Sequence, residues 1–261
     1  MPIKMILTDL DGTLLRGDKT LSAYTQAVLH ACHARGIRIV LATARPIRAV
    51  EMLRLQVPVD AAVYHNGAVV HVGGACVLRR GIPPEETERI ALAALRADAS
   101  AQICVEIEDR LYGNFDPSHI WPGIEICPTD FTNLPHVPAD KMILPMATLA
   151  EMQAVARALP DCLYIEMSEN TVGMIMHKQA TKAGAAAFLA AHYQLALADV
   201  AAFGDDYNDI EMLRVCGTGV AVANAIDEAK AAADFVCEPN ERDGVARWLA
   251  QALALPQAGE L

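Results

Sequence analysis

Two carboxylates two residues apart, Asp9 and Asp11, follow the apolar run Met5-Ile6-Leu7 and precede Gly12-Thr13-Leu14. Alternate residues of an extended chain point to one side, so both acids face a single site where a strand ends. Paired negative charge at the carboxyl edge of a parallel sheet suits a hard, oxygen-seeking cation such as Mg²⁺. A carboxylate masked by such a cation can serve as a nucleophile toward phosphorus. Asp-Gly is also a common turn dipeptide, so the stretch carries weight only if the rest of the chain supplies partners for it.

Three further polar groups fall at comparable places. The β-branched run 37–42 ends in Thr43-Ala44-Arg45-Pro46, and a proline there suits the first turn of a helix. Thr43 and the backbone N–H groups after it would then form a seat for phosphate. Lys182 opens an Ala-rich helical stretch, where a cation opposes the helix dipole, so it is better explained by a nearby negative partner than by helix stability. The apolar run 200–203 ends in Gly204-Asp205-Asp206-Tyr207-Asn208-Asp209, which again crowds acids at the carboxyl end of a strand.

The elements that must position these groups alternate. The spacing predicts helix 21–35 with Ser22 as N-cap and Gly36 as stop, then strand 37–42, helix 47–55 and strand 61–65. Asn66-Gly67-Ala68 follows, and the short runs 69–70 and 76–78 around Gly73-Gly74 read as a hairpin. From Gly81 the pattern changes at Pro83-Pro84 and acids at strand ends cease, which places a domain boundary there. Residues 82–179 read as an α+β domain: helices 84–97 and 147–159, strands 102–107, 142–144, 162–166 and 171–176, and irregular chain over 114–138. Alternation resumes with helix 182–193, strand 200–203, helix 210–215, strand 220–222, helix 226–232 capped by Asn224, edge strand 235–236 and helix 245–253. Residues 1–81 and 180–261 thus form one α/β domain, a doubly wound parallel sheet, interrupted by the insert.

The 261 residues are 53% hydrophobic with a net charge of −11, enough apolar material for a substantial core. That charge argues against a nucleic-acid or anionic-membrane surface, since both require basic patches. The seven cysteines include no Cys-x-x-Cys pair and read as reduced, buried thiols, and the histidines have no ligand spacing. The chain starts a strand at once without a basic-then-apolar leader, so a cytoplasmic protein without membrane spans, monomer or homodimer, is expected.

In order along the chain, Asp9-Leu10-Asp11-Gly12-Thr13-Leu14, Thr43, Lys182 and Gly204-Asp205-Asp206-Tyr207-Asn208-Asp209 resemble the four motifs of the haloacid dehalogenase superfamily. The position of the insert, Asn66-Gly67-Ala68 and the stretch Val220-Ala221-Val222-Ala223-Asn224-Ala225 resemble its Cof-type branch, with a type IIB cap. The resemblance implies a Mg²⁺-dependent phosphatase of a small phosphorylated metabolite, a sugar phosphate first, with the insert as the substrate-selecting cap. Three departures stand out. Ala44 occupies a position where the branch usually has Gly, Asp206 one where it usually has Ser, and Lys182 is followed by Ala183 before Gly184.

The roles implied divide the chemistry by charge. Asp9 would attack phosphorus and form an aspartyl-phosphate, while Asp11 protonates the leaving oxygen and then deprotonates water. Asp9, the Asp11 backbone carbonyl and Asp205 would hold Mg²⁺. Thr43, with Ala44 beside it, and Lys182 would bind the phosphate, Asp209 would orient Lys182 or a metal-bound water, Asn208 is a further phosphate contact, and Gly12 makes the turn. Arg45 is placed within reach of substrate, and Asn66 either lines the cleft or serves its turn. His177 and Lys178, at the returning boundary of the insert, read as solvent-exposed. A phosphomutase or phosphonatase using the same chemistry, and a non-catalytic phosphate-binding sensor or receiver, are the alternatives.

Overall fold

The computed structural model describes residues 3–54, 56–118, 121, 123–146, 148–168 and 171–255. Strand β1 (Met5–Thr8) leads through helix α1 (Ala23–Ala34) to β2 (Arg38–Ala42), then through the one-turn helix α2 (Glu51–Arg54) to β3 (Ala61–Tyr64). β4 (Val69–Val72) and β5 (Ala75–Arg79) are joined by Gly73-Gly74, whose φ values of 57° and 87° supply the left-handed backbone that a two-residue hairpin turn requires. The insert then contributes α3 (Pro84–Ala97), β6 (Cys104–Ile107), β7 (Arg110–Gly113), β8 (Ile126–Pro128), β9 (Lys141–Pro145), α4 (Leu149–Ala158), β10 (Leu163–Ser168) and β11 (Val172–His177). The chain closes with α5 (Lys182–His192), β12 (Val200–Gly204), α6 (Ile210–Val215), β13 (Thr218–Val222), α7 (Asp227–Ala232), β14 (Phe235–Cys237) and α8 (Gly244–Ala252).

The chain divides into two compact units, residues 1–77 with 181–261, and residues 78–180. In the first, eight strands lie in the order β14-β13-β12-β1-β2-β3-β4-β5. The neighbours from β14 to β3 run parallel, and β4 turns back antiparallel on β3. Strand order moves outward from β1 in opposite directions along the two chain segments, so right-handed crossovers place α1 on one face and α6 and α7 on the other. α1 accordingly packs against α8, and α6 against α5 and α7. Because both faces are covered, β1, β3 and β12 are buried along their whole length, which is why they read as uninterrupted apolar runs. The reversal of strand order falls between β1 and β12, and the carboxyl ends of these neighbours carry Asp9 and Asp205.

In the second unit the order is β10-β11-β9-β6-β7-β8, antiparallel apart from the β7–β8 pair. Alternate residues feed two apolar clusters: Val105, Met142 and Ile175 pack with Ala91 of α3, while Cys104, Ile143 and Met174 pack with Phe115, Trp121 and Ile124. The period-2 alternation of a two-faced sheet thus explains where Phe115, Trp121 and Ile124 of the irregular 114–138 stretch go.

Several expectations need correction. Helix 47–55 is only a 3₁₀ turn, Ile47–Ala49, followed by α2, because Pro46 sits extended before it rather than inside a helix. Strands β7 and β8 were not foreseen. The first unit boundary lies within β5, four residues ahead of the expected one, while α3 starts at Pro84 as expected. The N-cap position of α7 is Ile226, not Asn224. Cys76 is exposed and Cys127 and Cys162 are half-buried, while Cys32, Cys104, Cys216 and Cys237 are buried as expected. Among the described residues no helix is long and apolar enough to cross a membrane.

Candidate active site

Burial forces the central arrangement. Asp9 leaves β1 with its N–H donating to Phe203 of β12 at 2.9 Å, and it is 6% exposed. An isolated carboxylate at that depth is costly, and the required partner is Lys182, whose Nζ lies 2.5 Å from Asp9 Oδ1 and 2.7 Å from Asp209 Oδ1. Lys182 is brought there by the start of α5, where Thr181 caps the helix by accepting from Gly184 N at 3.0 Å. Burial pulls the Lys182 ammonium down, but Asp209 and Asp9 outweigh it and hold the group above its ordinary range. Burial pushes Asp9 up, against the pull of Lys182 and with the help of Asp209 and Asp205. An added positive charge beside Asp9 is what this cluster lacks.

Asp209 is occupied on both oxygens. Its Oδ2 accepts the N–H groups of Asp205 at 3.0 Å and Asp206 at 3.3 Å, which shapes the loop after β12. Gly204 permits that loop, since a side chain there would collide with Asp209. Asp205 Oδ1 accepts from Thr13 Oγ1 at 2.5 Å, and burial, opposed by that hydrogen bond, pushes its carboxyl up to about 6. Gly12, at φ 80°, lies where any Cβ would strike the Asp205 carboxylate, and its carbonyl accepts from Asn224 Nδ2 at 2.7 Å.

Asp9, Asp205 and Asp209 each present a carboxylate oxygen within 4.8 Å of the others, a group that could hold a metal ion. Among the described residues no hydrogen bond reaches Asp9 Oδ2 or Asp205 Oδ2, so these two oxygens are the ones left to ligate. The donor set is hard oxygen throughout, which fits Mg²⁺ and not a thiophilic ion. Asp206, which stands where the branch usually has Ser, is exposed, and its Oδ1 accepts from Tyr207 N at 2.8 Å.

Asp11 is held elsewhere. Arg45 grips it with Nε at 2.6 Å from Oδ2 and Nη2 at 2.7 Å from Oδ1, and Lys19 Nζ lies 2.7 Å from Oδ1. Burial tends to raise this carboxyl, yet the hydrogen bonds and charges of Arg45 and Lys19 prevail and keep it below the usual carboxylate range. Arg45 is positioned through its own N–H, which donates to Thr43 Oγ1 at 3.1 Å. Thr43 is 2% exposed; with its oxygen engaged by Arg45, its hydroxyl proton remains to be donated. Ala44 is half-buried between them. Asn66 is buried and accepts from Asn208 Nδ2 at 2.9 Å. His177 is half-buried and Lys178 exposed.

Sequence reasoning missed Lys19, Thr13, Thr181 and the site role of Asn224. Lys19 sits in a loop at φ 65°, without periodicity, and no spacing rule ties it to Asp11. Thr181 carried the one readable signal, a threonine directly before Lys182 in N-cap position.

Residues 6–249 match the haloacid dehalogenase-like hydrolase family. The chain belongs to that family. It is an enzyme of the phosphatase type, in the Cof-type branch of the haloacid dehalogenase-like hydrolases. A putative phosphatase of Haemophilus influenzae is 31% identical over 94% of this chain and 97% of its own length. The HMP-PP phosphatase of Cronobacter sakazakii is 28% identical over 84% of each chain. The solved structure of a subclass IIB sugar phosphatase superimposes with a TM-score of 0.83 at 26% identity, covering 97% of this chain and all of the other.

Proposed function

We propose that the protein is a Mg²⁺-dependent phosphomonoester hydrolase of a small phosphorylated metabolite, a sugar phosphate first, working through an aspartyl-phosphate on Asp9. The observation that carries this reading is the Asp9–Lys182–Asp209 chain of contacts, which fixes the buried Asp9 carboxylate against a cation in the same acidic cluster as Asp205. When bound by Asp9, Asp205 and the Asp11 carbonyl, Mg²⁺ supplies positive charge for a phosphate oxygen.

This chain's residues do the rest. Asp9 attacks phosphorus in line, forming a P–O bond as the ester oxygen leaves with the electron pair of the broken P–O bond. Lys182 and the Thr43 hydroxyl neutralise and orient the transferring group. Asp11 gives its proton to the leaving oxygen and later takes one from the water that hydrolyses the intermediate. As held by Arg45 and Lys19, Asp11 is ionised, the form needed for the second step. For the first, Asp11 must take up a proton from solvent as Arg45 loosens its grip, and an arriving phosphate dianion offers Arg45 a competing bidentate partner. The names of the relatives, an HMP-PP phosphatase and a sugar phosphatase, support a small phosphorylated metabolite as substrate.

Phosphate release from p-nitrophenyl phosphate and a panel of sugar phosphates, with Mg²⁺ and after chelation, tests the reading. Turnover that needs Mg²⁺ is expected. Release at the same rate in chelator, or none from any phosphomonoester, would overturn it.

A further inference from the structure

The turn after β3 has features that its own conformation does not explain. His65, Asn66 and Gly67 have φ values of 48°, 56° and 111°, three consecutive residues in the left-handed half of backbone space, and all three are buried. Such backbone persists only where the surroundings over-determine it. Here they are the other polar loops. His65 N donates to Arg45 O at 3.2 Å and Asn66 N to Thr43 O at 3.0 Å, so the turn braces the loop after β2. Gly67 presses so closely on the Thr181 backbone that any Cβ would collide with it, which braces the start of α5 and hence Lys182. The side chain of Asn66 completes the set by accepting from Asn208 in the loop after β12.

We infer that Asn66 is a positioning residue that acts through Asn208: its Oδ1 takes one N–H of the Asn208 amide and thereby orients the other toward the substrate phosphoryl group. A carboxamide nitrogen carries two donors, and the 2.9 Å contact spends one of them. Asn208 is half-buried in the 3₁₀ turn Tyr207–Asp209. Asp209 in that turn holds Lys182, so the second donor belongs to the same loop that sets the nucleophile's counter-ion. The alternative is that Asn66 is present only because asparagine tolerates left-handed backbone. Glycine tolerates it better, so the two roles part on one substitution.

The inference rests on the hydrolase reading and is tested with the full chain. Asn66→Gly keeps the turn and removes the acceptor; it should lower kcat/KM about tenfold while leaving the melting temperature within a few degrees. Asn208→Ala should lower kcat/KM by about 10²-fold, and the double variant no further than Asn208→Ala alone, because the contact that couples the two residues is then already gone. Losses that multiply would mean that Asn66 acts independently, and a glycine variant within twofold of wild type would mean that it only serves the turn; either overturns the inference alone. A wild type that releases no phosphate from any phosphomonoester overturns the hydrolase reading and this one with it. A measurement without any variant guards against misfolding. In the unliganded wild type, NMR should show one Asn208 side-chain amide proton protected from exchange, and free exchange of both would overturn the inference.

Discussion

Replacing Lys182 by methionine removes one charge from the middle of three while nearly preserving volume. The Lys182 and Asp209 side chains are 0% exposed and that of Asp9 is 8% exposed, so the pairs at 2.5 and 2.7 Å are screened by protein and not by water. At an effective dielectric constant of about 20, each contact is worth roughly 6 kcal/mol of gross attraction, most of it offset by the cost of burying the charges. The net worth of the intact cluster is therefore small, but removing its cation strands two buried carboxylates. The usual penalty for such a loss is about 3–5 kcal/mol. Asp209 keeps the N–H groups of Asp205 and Asp206, which places the expected loss at the lower end, about 3 kcal/mol.

Urea titrations of wild type and Lys182→Met, followed by circular dichroism in metal-free buffer at pH 7, measure this loss. The direction of its pH dependence follows from Asp9, whose carboxyl is already raised by burial and loses its main counterweight in the variant. A raised acid stabilises the fold below its unfolded value, and that stability is lost as pH rises through the folded value, so the deficit should shrink as the buffer is acidified. Excess Mg²⁺, supplying positive charge to the same carboxylates, should also restore part of it. A deficit under about 1 kcal/mol at pH 7, or one that grows on acidification, would refute the claim that Lys182 is required by buried charge.

Asp9→Asn, which removes the proposed nucleophile and little volume, should cut phosphate release by several decades; activity within tenfold of wild type, in protein free of wild-type contamination and deamidation, contradicts the assignment. Asp11→Asn should retain a single-turnover burst of p-nitrophenolate while phosphorylation by an alkyl phosphate falls a further ~10²-fold, since only the alkoxide needs a proton to leave; equal losses reject Asp11 as general acid. Asp140, buried against Arg79 in the inserted unit, is pushed up to about 6 by burial, so its contribution to stability is present below pH 4 and lost as pH rises through 6. Asp140→Asn should flatten that decline, by up to about 3 kcal/mol, in urea titrations across pH 4 to 7; parallel profiles would show that the carboxyl is not raised.

What the sequence made legible was whatever repeats a simple physical demand. A strand covered on both faces must be apolar throughout, so Met5-Ile6-Leu7 and the run before Gly204 announced the sheet, and the acids that followed each run marked its carboxyl edge. Lys182 was readable because a cation at a helix start contradicts local preference, and the contradiction is resolved by Asp9 and Asp209. The grip of Arg45 and Lys19 on Asp11 was not readable. It depends on side chains reaching from two loops, and loop geometry has no period. β8 escaped for a related reason: three residues ending in Pro128 form a strand only because β7 offers them an edge. Asn224 looked like a helix cap by composition, yet the Gly12 carbonyl and Asn240 N–H claim its side chain.

The proposed need for a metal also follows from a charge balance that no single motif displays. Four carboxylates, Asp9, Asp11, Asp205 and Asp209, meet three cations, Lys19, Arg45 and Lys182, which leaves the cluster with one net negative charge. A phosphate dianion approaching it is repelled. A divalent cation held by Asp9 and Asp205 would invert the sign, and so would serve substrate affinity before it serves the transition state. The same balance gives Lys19 and Arg45 a second consequence. By neutralising Asp11 they keep the cluster one charge from neutrality instead of three, so a single divalent cation would reverse its sign where two would otherwise be needed.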